Sequence, residues 1–467
     1  MAGSFLAYEE PSSKAGIIGP IIVGISYGMP LADILLEVWQ ETFLAIGYIG
    51  LILIIFEGGL TSRMDLLKQN FVLSMLAATT GVLVPIGLSY LLLFLGFGYG
   101  AVETFIIGAA LSTTSLGTTF AVIGGASKDI DLSQTRVGTV LVSAAVIDDV
   151  SGLVMSSVIH DLGSISGGAD VNLGWLIGRP ILASVLMAAL TPLLCKYCFA
   201  PLFRRYIEHH FARFDHLSNV VLMVLVLCAF ISIAAFAGTS VLFGAFLAGS
   251  FLTYLPSKHP EGPFVVYSRE HGEQNEDKSP TFVHTFEKYF SDVQKYLMEP
   301  LFFASIGFAI PFVDLWTGSA IWHGVVYTLL MLLAKVVVGI WVPVWDIATG
   351  PSKGHPSKPS LSQSLPSAGL LGFAMVARGE IGLLIVEIGY NSTPYVSDAG
   401  FYTAVWAILL NTVIGPMVVG LLIKFRGKSI GEGAWGIQNS DESEAQEKSE
   451  ASSRDQALEE GLEGSAQ

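Results

Sequence analysis

Residues 143–158 read SAAVIDDVSGLVMSSV, and two adjacent aspartates, Asp148 and Asp149, stand in a run that is otherwise apolar or small. What surrounds the run decides what two such carboxylates are for. The chain has 467 residues, 52% of them hydrophobic and only 13% charged. A soluble protein of this size carries about 25% charged residues. The mean hydropathy of +0.62 points the same way, to a chain that crosses a membrane many times. The two aspartates are therefore read as lying inside a transmembrane helix. Insertion scales put the cost of each mid-membrane Asp or Lys at about 2.5–3.5 kcal/mol, so such residues are rare and usually functional.

A helical span needs roughly 20 mostly apolar residues. Twelve hydrophobic segments are expected, near 15–29, 41–60, 71–96, 104–125, 136–160, 174–201, 217–237, 239–255, 299–315, 320–347, 368–390 and 399–425. The longest internal polar stretch, 256–298, follows the eighth. The start, MAGSFLAYEEPSSK, has no basic region leading into an apolar run and a cleavage site, so no signal peptide is expected. Lys and Arg follow the even segments: Arg63 and Lys68; Lys128 and Arg136; Lys196, Arg204, Arg205 and Arg213; five between Lys258 and Lys295; Lys353 and Lys358; Lys424, Arg426 and Lys428. The loops after the odd segments have none. Positive residues favour the cytoplasmic side, which puts both termini there. The expected organisation is a short cytoplasmic N-terminus (1–14), a transmembrane domain (15–425) and an acidic disordered tail (426–467). Within the tail, residues 440–467 hold nine acidic and two basic residues, about half of the net charge of −15. No nucleic-acid partner is expected.

The first and eighth segments are short and glycine-spaced, GPIIVG (19–24) and GAFLAG (244–249). If each opens a five-helix unit, the second unit is inserted upside down, the inverted repeat common in secondary transporters. The fourth member of each unit is polar at its centre. One holds Ser112 to Thr119 around Gly117; the other, the eleventh segment, holds Ala377-Arg378-Gly379-Glu380. Both read as broken helices, which a membrane tolerates where the freed backbone is buried in protein or lines a cavity. The competing reading for the fourth segment is an unbroken helix whose hydroxyls bond back one turn.

The charges inside the expected spans are Asp148 and Asp149 in the fifth segment, Lys335 in the tenth (LLAKVVVG), Arg378 and Glu380 in the eleventh, and Glu57 at the end of the second. Adjacent residues on a helix point about 100° apart. One aspartate therefore faces a lysine on a neighbouring helix while the other faces a cavity. A buried carboxylate is either protonated or holding a cation, and that competition suffices for exchange without any bond being made. A static ion pair between Lys335 and one aspartate is the plainer reading, but it leaves the second aspartate unexplained. Arg378 and Glu380 read more readily as compensating half-helix ends than as ion ligands. Glu57, beside Gly58-Gly59, reads as an interfacial or hinge residue.

AAVIDDVSGL (144–153), LSTTSLGTTFAVI (111–123), LLAKVVVG (332–339) and ARGEIGLL (377–384) together resemble the monovalent cation/proton antiporter superfamily, in its two-aspartate, electrogenic branch of sodium/proton exchangers. The resemblance covers about 15–425. It implies that Asp149 is the main cation- and proton-binding carboxylate and the ligand for Na+, and that Asp148 partners Lys335. It implies too that Thr114 and Ser115 line the ion site. It further implies an all-α membrane fold with crossed broken helices. A core (segments 3–5 and 10–12) moves against a scaffold (1, 2 and 7–9) in an elevator-like way, with segment 6 connecting them. Two protons for one sodium and a homodimer are also implied. Many members carry one more helix before the first segment, one that often takes part in dimer contacts. Here fourteen residues that are not a span precede it, which leaves dimerisation open. The expected activity is antiport of protons for Na+ or Li+ across the plasma membrane or an organelle membrane, in pH and cation homeostasis. The protein is expected not to be an enzyme, and to need no cofactor beyond its transported ions.

Two further readings stand beside it. A potassium/proton antiporter would differ only in the shape of the cavity. An intramembrane aspartyl protease needs carboxylates brought together from two helices; Asp148 and Asp149 diverge on one, and no GxGD is present. No HExxH or Walker loop appears either. Cys195 and Cys198 form a CxxC that reads as incidental thiols or a lipidation site, and Glu208-His209-His210 with Asp215-His216 as a solvated loop or a cytoplasmic pH sensor.

Overall fold

The computed structural model describes residues 18–27, 34–61, 70–115, 135–163, 173–206, 215–253, 255, 281–309, 312–349, 361–431 and 435–436. Among them the architecture is almost entirely helical. In chain order the helices are α1 (Ile18–Tyr27), α2 (Glu37–Thr61), α3 (Phe71–Ser89, continued by a π turn at Tyr90–Phe94), α4 (Ala101–Ser112), α5 (Arg136–Gly163) and α6 (Leu173–Leu194, carried on to Tyr206). They continue with α7 (Asp215–Ala237), α8 (Val241–Thr253), α9 (Phe282–Tyr289), α10 (Glu299–Ala309), α11 (Gly318–Val336) and α12 (Trp341–Thr349). The last three are α13 (Leu361–Ala374), α14 (Glu380–Ser392) and α15 (Asp398–Gly431).

Seven of these runs are long and apolar enough to cross a membrane, and α4, α8, α13 and α14 are shorter apolar helices. The outer faces keep large apolar side chains in the open, Phe236 at 88% and Phe425 at 76% exposure among them. Lipid is the solvent that makes such faces stable.

The helices pack in two groups. One holds α3, α4, α5 and α11 to α15; the other holds α1, α2 and α7 to α10. Helix α6 touches α5 on one side and α8 on the other. This is the division that the resemblance implies between core and scaffold. Small residues let the scaffold helices approach. A Cβ added at Gly59 would lie 2.1 Å from the Phe246 carbonyl oxygen, and one at Gly249 2.3 Å from that of Phe56. Association in lipid relies on such close backbone packing, because burial of apolar surface drives little there.

The eleventh segment, read as 368–390 with a broken centre, is two helices, α13 and α14, separated by five residues. The structure departs from the sequence reading in two places. The polar stretch before the ninth segment contains α9, amphipathic, with Phe282, Thr285 and Phe286 buried. At eight residues it is too short to cross a membrane, and its apolar residues serve one face only. The last helix runs to Gly431, past the expected boundary at 425, and Trp435 and Gly436 dock on the bundle. The expected polar run Thr118–Thr119 around Gly117, and His209 and His210, lie outside the described residues. Cys195, Cys198 and Cys228 are not joined in a disulfide.

Gly249→Val sets two methyl groups against the α2 backbone. The expected result is a lower yield of monodisperse protein and a thermal transition lowered in detergent. An unchanged transition counts against the close α2–α8 crossing.

Candidate functional site

Two interrupted stretches meet inside the first group. Helix α4 ends at Ser112, and Thr113 is extended (φ −66°, ψ 151°). The hydroxyls of Ser112 and Thr113 donate back to the carbonyls of Ala109 and Ala110, which satisfies part of the frayed helix end. Opposite, α13 ends at Ala374 and α14 begins at Glu380, with Gly379 extended between them. The Ser115 N–H donates to the Ala377 carbonyl at 2.9 Å, so the two breaks pair through backbone. A Cβ at Gly379 would lie 2.9 Å from Ser115 Cβ and Oγ, so this residue has to be small.

Arg378 is fully buried and serves the crossing directly. Its Nη1 donates to the Thr113 carbonyl at 2.7 Å, at the negative end of α4. The Thr412 hydroxyl donates to the Arg378 carbonyl at 2.9 Å. Arg378 Nε and Nη2 have no hydrogen-bond partner among the described residues. The side chain of Glu380 lies outside them.

Helix α5 passes the crossing with both aspartates buried. Asp148 Oδ2 accepts from Lys335 Nζ at 2.6 Å and from Thr114 Oγ1 at 2.6 Å, and Lys335 Nζ also donates to Thr114 Oγ1 at 3.0 Å. Ammonium, carboxylate and hydroxyl thus form a closed triangle, with Lys335 and Asp148 both at zero exposure. Lys335 sits two residues before α11 tightens into a 3-10 turn (Val337–Ile340). Gly81 on α3 completes the wall. A Cβ there would lie 3.3 Å from Lys335 Nζ and 3.6 Å from Asp148 Oδ1.

Asp149, 5% exposed, is rotated about 100° from Asp148. Gly152, about one turn further along α5, brings that helix against the crossing. A Cβ at Gly152 would lie 2.5 Å from Thr113 Cγ2 and 3.1 Å from Ile381 Cγ2. Of the residues expected at the site, Asp148, Lys335 and Thr114 therefore touch, Ser115 and Arg378 lie at the crossing, and Asp149 is buried beside Asp148 on α5. Glu57 does not join them. It sits on α2 in the other group and accepts from Gln294 Nε2 at 2.7 Å.

Three residues of this neighbourhood carried no signal in the sequence. Gly81 is one glycine among 50. Thr412 is one hydroxyl on a long apolar helix. Tyr327, at zero exposure, bonds the Ser89 hydroxyl at 2.6 Å from an unremarkable stretch.

Bundle, crossing and buried charges define a multi-pass membrane protein with ionisable groups held where two helices break. The family model of the sodium/hydrogen exchanger transmembrane domain matches residues 3–424, and the chain belongs to that family. The Na(+)/H(+) antiporter of Enterococcus hirae is 25% identical over 414 residues, covering 87% of this chain and 91% of that one. The Na(+)/H(+)-K(+) antiporter GerN of Bacillus cereus is 24% identical over 407 residues, 86% and 88% of the two chains. The sodium proton antiporter MjNhaP1 of Methanocaldococcus jannaschii, in a structure at pH 8, shares the fold with a TM-score of 0.56. It is 18% identical, over 87% of this chain and 91% of that one.

Removing one member of a buried ion pair costs about 3–5 kcal/mol, because the other charge is left bare. Lys335→Met is expected to lower stability by that order, and Asp148→Asn with Lys335→Met to recover much of the loss. Thermal unfolding of the single and double variants in detergent checks it. Additive effects would mean that the two charges are not coupled.

Proposed function

We propose that this antiporter carries its cation and its protons in turn on Asp149, with Na+ or Li+ as the cation. The observation that carries the reading is a second buried carboxylate on the helix that packs against both broken helices, next in sequence to one that is paired with a lysine. Asp148 is neutralised by Lys335 and bonded by Thr114. Asp149 is the carboxylate on which a proton and an alkali cation compete, and the two exclude each other. Oxygens at the crossing, the hydroxyls of Thr114 and Ser115 among them, replace part of the hydration shell of the cation. Arg378 holds the crossing in shape rather than binding the ion, with its Nη1 donating to the Thr113 carbonyl.

Lys335 has a second part to play. When Asp148 turns from it, the ammonium loses its partner and its proton becomes available. With Asp149 this accounts for two protons against one sodium, and for net charge movement in each cycle. A potential of 100 mV is worth about 2.3 kcal/mol per elementary charge. The two packed groups support an elevator-like movement of the first against the second, within twelve spans arranged as inverted repeats. The distribution of Lys and Arg supports cytoplasmic termini. The plasma membrane as location and a homodimer as assembly belong to the same reading. Potassium as a further cation is favoured by the name of GerN.

The test is exchange in proteoliposomes with a pH-sensitive dye, adding Na+, K+ and Li+ in turn. Asp149→Asn is expected to abolish exchange while leaving a folded, monodisperse protein; full activity would overturn the assignment. Lys335→Ala is expected to change coupling or voltage dependence, read as current per cation moved.

A further inference from the structure

The residues just beyond the last helix return to the start of the helix that carries the two aspartates. The first backbone N–H groups of any helix lack partners within it. In α5 they are supplied from outside the helix. Arg136 N donates to the Gly436 carbonyl at 3.0 Å, and Val137 N to the Trp435 carbonyl at 3.2 Å. Gly138 N donates to the Thr135 hydroxyl at 3.1 Å, an N-cap of the ordinary kind. Two of the three donors are thus satisfied by a segment about 300 residues away in the chain.

The side chain of Trp435 does more. It is 1% exposed and packs with Leu73, Val137, Leu141, Val342 and Ile430 in one apolar cluster. Its Nε1 donates to the Asp346 carboxylate at 3.0 Å. The Ser364 hydroxyl donates to the same carboxylate. The Arg136 guanidinium lies 4.6 Å from the centroid of the indole ring. The indole is therefore wedged between a cation at the start of α5 and an anion on α12.

These two helices lead to the buried charge pair. Asp148 lies twelve residues into α5 from Arg136, and Lys335 lies eleven residues before Asp346 on the run α11–α12. Each distance is about 17 Å of helix. Val137 to Ala145 are all buried, so α5 is enclosed along that length. The brace and the ion pair both link α5 to the run α11–α12, one near each end of the stretch between them. We infer that Trp435 is a positioning residue for the ion site: it locks the ends of α5 and α12 together and so sets the axial register of Asp148 and Asp149 against Lys335. The inference rests on the reading of the Asp148–Asp149 region as the transport site.

The test uses the full chain in proteoliposomes, with Trp435→Ala, Trp435→Phe and the wild type side by side. Trp435→Ala is expected to raise the half-saturating Na+ concentration several-fold and to speed hydrogen exchange at the amides of residues 136–138. Trp435→Phe keeps the ring over Arg136 but loses the bond to Asp346, and is expected to fall between. Should the alanine variant fail to fold, the phenylalanine variant carries the comparison. A fall in maximal rate alone, with Na+ dependence as in the wild type, would mark a merely structural role and overturn the inference. Unchanged amide exchange would overturn it as well. Amide exchange does not depend on which aspartate binds the ion, so failure of the brace is distinguishable from an active Asp149→Asn.

Discussion

An ammonium and a carboxylate, both without exposure and 2.6 Å apart, form the contact on which the rest of this structure depends. Neither charge is stable alone in such a place. Each therefore requires the other, and the helices that carry them must hold register to within a fraction of a hydrogen-bond length. Thr114 adds a third vertex, and its hydroxyl is available because α4 has already ended. Gly81 leaves the room that the pair occupies. The ion pair is thus a packing constraint as much as an electrostatic one.

The broken helices follow from the same site. Stopping a helix inside a membrane strands carbonyls and N–H groups that lipid cannot satisfy. Here they are satisfied by one another and by side chains: Ser115 with Ala377 through backbone, Thr113 by Arg378, and Arg378 by Thr412. The Arg378 guanidinium donates to the Thr113 carbonyl, and the Asp148 carboxylate accepts from Lys335.

The second packed group is built on other terms. Its helices approach through glycine at Gly59 and Gly249, with backbone against backbone. Its one internal acid on α2, Glu57, is bonded to Gln294 and stands apart from the crossing. Among the described residues the buried ion pair and the two broken helices belong to the first group.

Composition, segment lengths and the side preference of Lys and Arg were enough to read an all-helical membrane protein and to point to Asp148, Asp149, Lys335 and the polar centres of the fourth and eleventh segments. These are local properties, visible because a charge or a glycine in an apolar run costs free energy wherever the run folds. Helix geometry alone left open which aspartate meets Lys335; the likeness to a family named Asp148, and the tertiary structure places it there, 187 residues away in the chain. Gly81, Thr412 and Trp435 were beyond reach for the same reason. Their importance comes from what lies across from them, and an apolar span looks alike whichever neighbour it packs against. The amphipathic α9 was hidden in a polar stretch because only one of its faces is apolar. Sequence decided that charges had to be buried in a membrane; three-dimensional contact decided which of them neutralise each other, because pairing depends on distances between helices that no periodicity along one helix records.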